Sequence, residues 1–178
     1  MMSISYDVVQ DSQTADRVRR RFAAPISRLV GLGFGEICIN RETGPAYSAL
    51  AAFPTAVLMI LRREVLALLP PWRLSGAFPL LVRIAPPTYA YPFGPGVKFH
   101  TRFEDGTALV SAAFASQLLP TVSNPISKQA RRMSVEAGWD WHRQGVEGMI
   151  REGRNVHRNL GFAGFVEVCR LEDRLAAT

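Results

Sequence analysis

Lysine is almost missing from this chain. Of its 21 cationic residues, only Lys98 and Lys128 are lysine; the other 19 are arginine, whose planar fork engages phosphate and carboxylate better than an ammonium does. Cysteine is scarce as well. Cys38 and Cys169 are too few for a disulfide framework or a four-thiolate zinc site, and a reducing compartment is the default expectation. The opening residues MMSISYDVVQDSQT hold no cation followed by an apolar run, so they do not read as a secretory signal. Repeats and low-complexity tracts are absent. Histidine is limited to His100, His142 and His157, which are scattered along the chain, so neither a metal nor a cofactor is expected. Gly31-Leu32-Gly33-Phe34-Gly35 lacks the lysine of a nucleotide loop and follows a helix rather than a strand; it reads as a helix cap and turn.

What is present describes a folded, basic, rather hydrophobic chain. Its 178 residues suit one domain, read as spanning 1–178. Hydrophobic residues are 48% and charged ones 20%, which excludes intrinsic disorder. The net charge is +6, with a pI near 10.0 and a mean hydropathy of +0.06. Residues 1–12 read as a short strand or tail. Over 14–30, Val18, Phe22, Ile26 and Leu29 recur at helical spacing, and Pro25 should kink that helix or start a second turn. Arg17, Arg19, Arg20 and Arg21 make it strongly basic. Glu36 to Asn40 alternates as a short strand, with Ile37 and Ile39 on one face. Cys38 within it reads as a small buried apolar group.

Both excesses then concentrate. Across 43–82 the charged residues are Arg62, Arg63, Glu64 and Arg73, and Thr43 to Leu61 holds none. The favoured reading is a buried helix and core strands. An interfacial segment is the second reading and a membrane span the third, because Pro45, Pro54, Pro70, Pro71 and Pro79 argue against clean spans.

The sharpest local signal is VKFHTRFEDGTALVSAAF at 97–114. Asp105-Gly106 suits a two-residue type I′ turn, which would set Phe103 opposite Ala108, Thr101 opposite Val110 and Phe99 opposite Ala112. One face is then apolar, and the other carries Lys98, His100, Arg102, Glu104, Thr107 and Ser111. His100 and Ser111 would meet across the strands as an ordinary surface pair. Thr88 to Tyr91 reads as a neighbouring strand, and 115–133 as a loop. Ser134 caps a helix that places Val135, Trp139, His142, Val146, Met149 and Ile150 on one face. His142 there suits a core histidine bonded to a carbonyl. Gly153 ends this helix despite the cost of Gly138, Gly145 and Gly148 within it. A last helix over 161–175 turns Phe162, Phe165, Val166 and Cys169 inward.

KFHTRFEDGTALVS followed by Trp139 and His142 resembles a group of uncharacterised bacterial proteins, many of them cyanobacterial. They pair an aromatic-x-Thr-x-Phe-x-Asp-Gly-Thr-x-Leu hairpin with a Trp-x-x-His helix. The resemblance covers roughly the second half of the chain, and it implies no catalytic residue.

These readings combine into an α+β fold: an antiparallel sheet flanked by an N-terminal helix and two C-terminal helices. The first functional expectation is a non-enzymatic, cytoplasmic module, peripheral to the membrane in one form of the reading. It would bind a protein partner or an anionic membrane surface through Arg17, Arg19, Arg20 and Arg21 and the apolar segment. The alternative is a domain, with or without enzymatic activity, that takes a small apolar ligand. Its pocket would lie between sheet and helix, with Phe99, His100, Phe103, Trp139 and His142 as candidates. Nucleic acid is a weaker fit, because no nucleic-acid motif is recognisable and the aromatics face inward.

Overall fold

The computed structural model describes residues 5–43, 76–93, 96–114 and 126–176. Seven strands and four helices lie within them: β1 (Ser5–Val8), α1 (Ser12–Arg21), α2 (Ala23–Gly31), β2 (Gly35–Thr43), β3 (Ala77–Arg83), β4 (Thr88–Phe93), β5 (Gly96–Arg102), β6 (Ala108–Phe114), β7 (Ile126–Arg132), α3 (Val135–Arg151) and α4 (Phe162–Ala176). The strands form one sheet in chain order. Every neighbouring pair is antiparallel except β6 and β7, which are parallel. The architecture is α+β, with helices at both ends of the chain.

Helix α1 starts where Asp11 accepts hydrogen bonds from the backbone N–H of Gln13 (3.3 Å) and Thr14 (2.8 Å). Hydrogen bonding from the Thr14 side chain first, and from the Thr14 and Gln13 N–H groups after it, holds the Asp11 carboxyl below its usual range. The 14–30 helix is in fact two, broken at Phe22, and Pro25 falls in the first turn of α2, where a missing N–H costs little. The glycine turn then closes α2, with Gly33 at φ 84°.

The 97–114 hairpin forms one residue out of the expected register: Phe99 faces Ser111, His100 faces Val110 and Thr101 faces Leu109. The turn is the reason. Phe103 N–H donates to Thr107 O (2.9 Å) and Gly106 N–H to Phe103 O (3.1 Å), so three residues, not two, form the loop. Gly106 takes positive φ at its end, as a type I turn with a glycine bulge requires. Asp105 reinforces that choice by accepting from both the N–H (2.9 Å) and the hydroxyl (2.6 Å) of Thr107. A slip of one moves β6 side chains to the other face. Ser111 therefore turns away from His100, and the expected pairing between them does not exist.

Both faces of the hairpin are covered by helix. Helices α2 and α3 pack over Leu81, Ala90, Val97, Phe99 and Ala113 through Leu29, Val135 and Trp139, together with Phe34 from the turn after α2. Helix α4 packs Phe165 and Cys169 against Phe78, Leu80, Tyr89 and Tyr91 on the opposite face. The face carrying His100 is thus no solvent face: His100 is wholly buried. Gly138 explains how closely α3 approaches, since a Cβ there would collide with the Ala113 methyl. Gly145 sits less tightly over Leu109, where a Cβ would be 2.8 Å from Cδ2, and Gly148 faces open space.

Other local expectations shift too. A bulge between Glu36 and Cys38 leaves Ile37 unpaired and exposed while Ile39 is buried, so the two do not share a face. Residues 126–132, expected in a loop, form β7. In α4, Val168 is the buried valine, and Val166 is only half-buried. Ile150, expected on the inner face of α3, is exposed. Of the apolar 43–82 segment, Ala77 to Val82 lies in β3, and 44–75, including the expected buried helix, lies outside the described residues. Among the described residues no helix is long and apolar enough to cross a membrane.

Candidate functional site

The sequence-derived candidates fall into three places. Phe99, Trp139 and His142 meet between the sheet and α3. Ring centroids are 5.8 Å apart for Phe99 and Trp139, 5.7 Å for Phe99 and His142, and 6.0 Å for Trp139 and His142. Phe34 closes the group, edge-on to Trp139 at 5.0 Å. Phe103, further along the same face, packs with Leu109 and Val146. His100 stands on the far side of the sheet, under α4, with Nε2 3.1 Å from the Tyr91 hydroxyl. All five side chains are buried.

His142 has the most chemically specific surroundings. Its Nδ1 lies 2.8 Å from Ser111 Oγ and its Nε2 3.0 Å from Thr101 Oγ1. Thr101 Oγ1 is 2.8 Å from Thr88 Oγ1, which donates to the Pro86 carbonyl at 3.1 Å. These contacts assign the protons. The single hydroxyl proton of Thr88 goes to Pro86, so Thr101 must donate to Thr88 and accept from His142. Nε2 therefore carries the imidazole proton, and Nδ1 accepts from the Ser111 hydroxyl. Each neutral group is satisfied. Burial pushes the His142 pKa down to about 3, and the nearby His100 adds to the effect. The imidazole is a core group, as expected, but hydroxyls rather than a carbonyl satisfy it. The slipped register placed Ser111 there, so sequence reasoning could not have found that partner. Thr88 and Thr101 were visible only as polar residues at inward strand positions.

The arginines of α1 divide by helical position. Ala15 and Val18 are buried against Ile39. Arg19, on the side nearer the sheet, pairs with Asp16 (3.0 Å) and Glu36 (2.8 Å). Arg17, Arg20 and Arg21, spaced three and four apart, are exposed on the outer side. Among the described residues no group of three or more histidine, cysteine, aspartate or glutamate side chains could hold a metal ion. Comparison with family models, with curated proteins and with solved structures gives no match.

Proposed function

We propose that the chain is a non-enzymatic binding module that docks on an anionic surface, that of a membrane or of an acidic protein partner, through the outer face of α1. One observation carries this reading: Arg17, Arg20 and Arg21 are exposed together on a helix whose opposite side is anchored in the core. Arg19 serves the fold instead, through Asp16 and Glu36. The apolar segment to which the same reading appeals lies mostly outside the described residues. The candidates for an apolar pocket favour docking over ligand capture, because Phe99, Trp139 and His142 pack on one another, Phe103 packs on Leu109 and Val146, and His100 lies on the far side of the sheet. A general base must reach a substrate proton, and the His142 network is shut off from solvent. Likeness to the bacterial group that shares the hairpin and Trp-x-x-His helix is part of the same proposal and adds no activity to it.

The test is co-sedimentation with phosphatidylserine-containing vesicles at low ionic strength. The chain should pellet and should release as salt rises, because exposed charges are screened over about 10 Å at 0.1 M salt. Each arginine near such a surface is worth about 1 kcal/mol, so changing Arg17, Arg20 and Arg21 to Gln should weaken partitioning by about a hundredfold. Changing Arg19 to Gln should matter little. Equal pelleting of the wild-type chain and the triple variant would sink the idea.

A further inference from the structure

Asp105-Gly106 is the only place in the chain where an aspartate or asparagine precedes a glycine. Both residues are exposed at the tip of the β5–β6 hairpin. A glycine that follows aspartate puts no side chain between its own nitrogen and the neighbouring carboxyl, so the Gly106 nitrogen can attack Asp105 Cγ. An N–Cγ bond forms and a Cγ–O bond breaks. The oxygen leaves as water, taking the carboxyl proton and the amide proton. The resulting five-membered ring opens when water adds to the Asp105 main-chain carbonyl and that C–N bond breaks. The product is an isoaspartyl link of unchanged mass, with the main chain running through Cγ and the α-carboxylate set free. Water is the sole co-reactant, given up in the first step and returned in the second.

The contacts around Asp105 oppose the first step. Thr107 donates to Oδ1 from its N–H (2.9 Å) and its hydroxyl (2.6 Å). Arg154 Nη1 donates to Oδ2 at 3.3 Å and to Thr107 Oγ1 at 2.9 Å. The proton of the attacking nitrogen is engaged as well, since Gly106 N–H donates to the Phe103 carbonyl at 3.1 Å. From this arrangement we infer that Asp105 is a backbone modification site, the source of an isoaspartyl link, and that Thr107 and Arg154 restrain the reaction. Water leaves only from the protonated carboxyl, and donors at both oxygens favour the charged form. The Thr107 hydroxyl first, then its N–H and the Arg154 charge, hold the Asp105 carboxyl below its usual range. The same bonds restrict the side-chain rotation through which Cγ reaches the Gly106 nitrogen. Arg154 belongs to the segment between α3 and α4. That segment docks on the hairpin through Asn155 O, which accepts from Glu104 N–H at 2.8 Å, and through His157 N–H, which donates to Arg102 O at 2.9 Å. The restraint therefore lasts while the segment stays docked. An isoaspartyl link lengthens the three-residue loop by one methylene and moves the carboxylate that Thr107 binds. The site is separate from the α1 face and does not depend on vesicle binding.

The test is prolonged incubation of the full chain at mildly acidic pH, followed by peptide mapping that separates aspartyl from isoaspartyl forms at position 105. The same chain unfolded in urea supplies the unrestrained rate. The folded wild type should react at least about tenfold more slowly than the unfolded chain, the scale of two or more lost hydrogen bonds. Thr107→Val removes the hydroxyl and should speed the folded reaction about fivefold. Arg154→Gln should speed it about threefold, because an exposed ion pair is worth less. Thr107→Ser restores a hydroxyl and should return the rate to that of the wild type, and Asp105→Glu, which closes no five-membered ring, should give no product. Both substituted side chains lie at the surface, and near-ultraviolet circular dichroism checks that each variant is folded. Three results would overturn the inference: a folded wild type that reacts as fast as the unfolded chain, wild-type rates in both Thr107→Val and Arg154→Gln, or no isoaspartate at 105 even in the unfolded chain.

Discussion

His142 Nδ1 accepts a hydrogen bond from Ser111 Oγ across 2.8 Å, with both side chains sealed from solvent between α3 and the sheet. The contact requires a neutral imidazole, and that requirement makes stability depend on pH. The folded pKa is about 3, below the ordinary 6.5. Above 6.5 the group is neutral in both states, and its folded surroundings carry no penalty. As pH falls below 6.5 the unfolded chain takes up the proton first, and stability is lost progressively until about 3. The loss is about 2 kcal/mol at pH 5 and about 5 kcal/mol at its limit. Denaturant melts between pH 8 and 4 should show this slope, and His142→Gln should shrink it. An unchanged slope in that variant would show that other groups control acid stability.

The glycines of α3 should respond to alanine in a graded way. At Gly148 a methyl meets open space, so Gly148→Ala should stabilise the helix by about 1 kcal/mol. At Gly145 the obstacle is the Leu109 Cδ2 end at 2.8 Å, which can move, and the gain should be mostly cancelled. At Gly138 the methyl would strike the Ala113 Cβ on β6, where overpacking costs about 1–3 kcal/mol and outweighs the helical gain. Thermal melts of the three variants should rank 148 above 145 above 138. Adding Ala113→Gly should recover stability in the Gly138 variant and in neither of the others.

Asn40 is completely buried on β2, and neither the oxygen nor the nitrogen of its amide has a hydrogen-bond partner among the described residues. An unsatisfied buried polar group costs about 1–3 kcal/mol, and leucine keeps the branched outline of asparagine with two bulkier methyls in place of the amide oxygen and nitrogen. Asn40→Leu should therefore raise the unfolding midpoint in urea without changing the dependence on denaturant concentration. A fall in the midpoint would mean that the amide is satisfied in solution.

Much of the fold was legible because it depends on local pattern. The stripe Val18, Phe22, Ile26 and Leu29 marked the first helical region, and Ser134 does accept the Ala137 N–H at the start of α3, at 3.2 Å. Asp-Gly located the hairpin but not its register. The same dipeptide serves a two-residue and a three-residue loop, and the bond from Thr107 to Asp105 accompanies the longer one. β7 was illegible for a different reason: it is a parallel strand, and its partner β6 lies across a long connection rather than a tight turn. Of the site residues, Phe99, Trp139 and His142 were found together because their periodicities converge on one layer. His100 was misplaced with them because a β-strand sends neighbouring side chains to opposite faces.

The sequence by itself determined that this chain folds around an apolar core, and where most of its helices and strands lie. It also determined that its positive charge is arginine, densest at 17–21. Helical and strand periodicities are properties of consecutive residues, so they need no partner to be read. Tertiary structure decided which of those arginines serve the fold and which face outward, because an ion pair such as Arg19 with Glu36 joins residues on separate elements. It also decided that His142 is a satisfied core group, held by hydroxyls from two strands. In each case the deciding contact is several ångströms wide in space and many residues long in sequence.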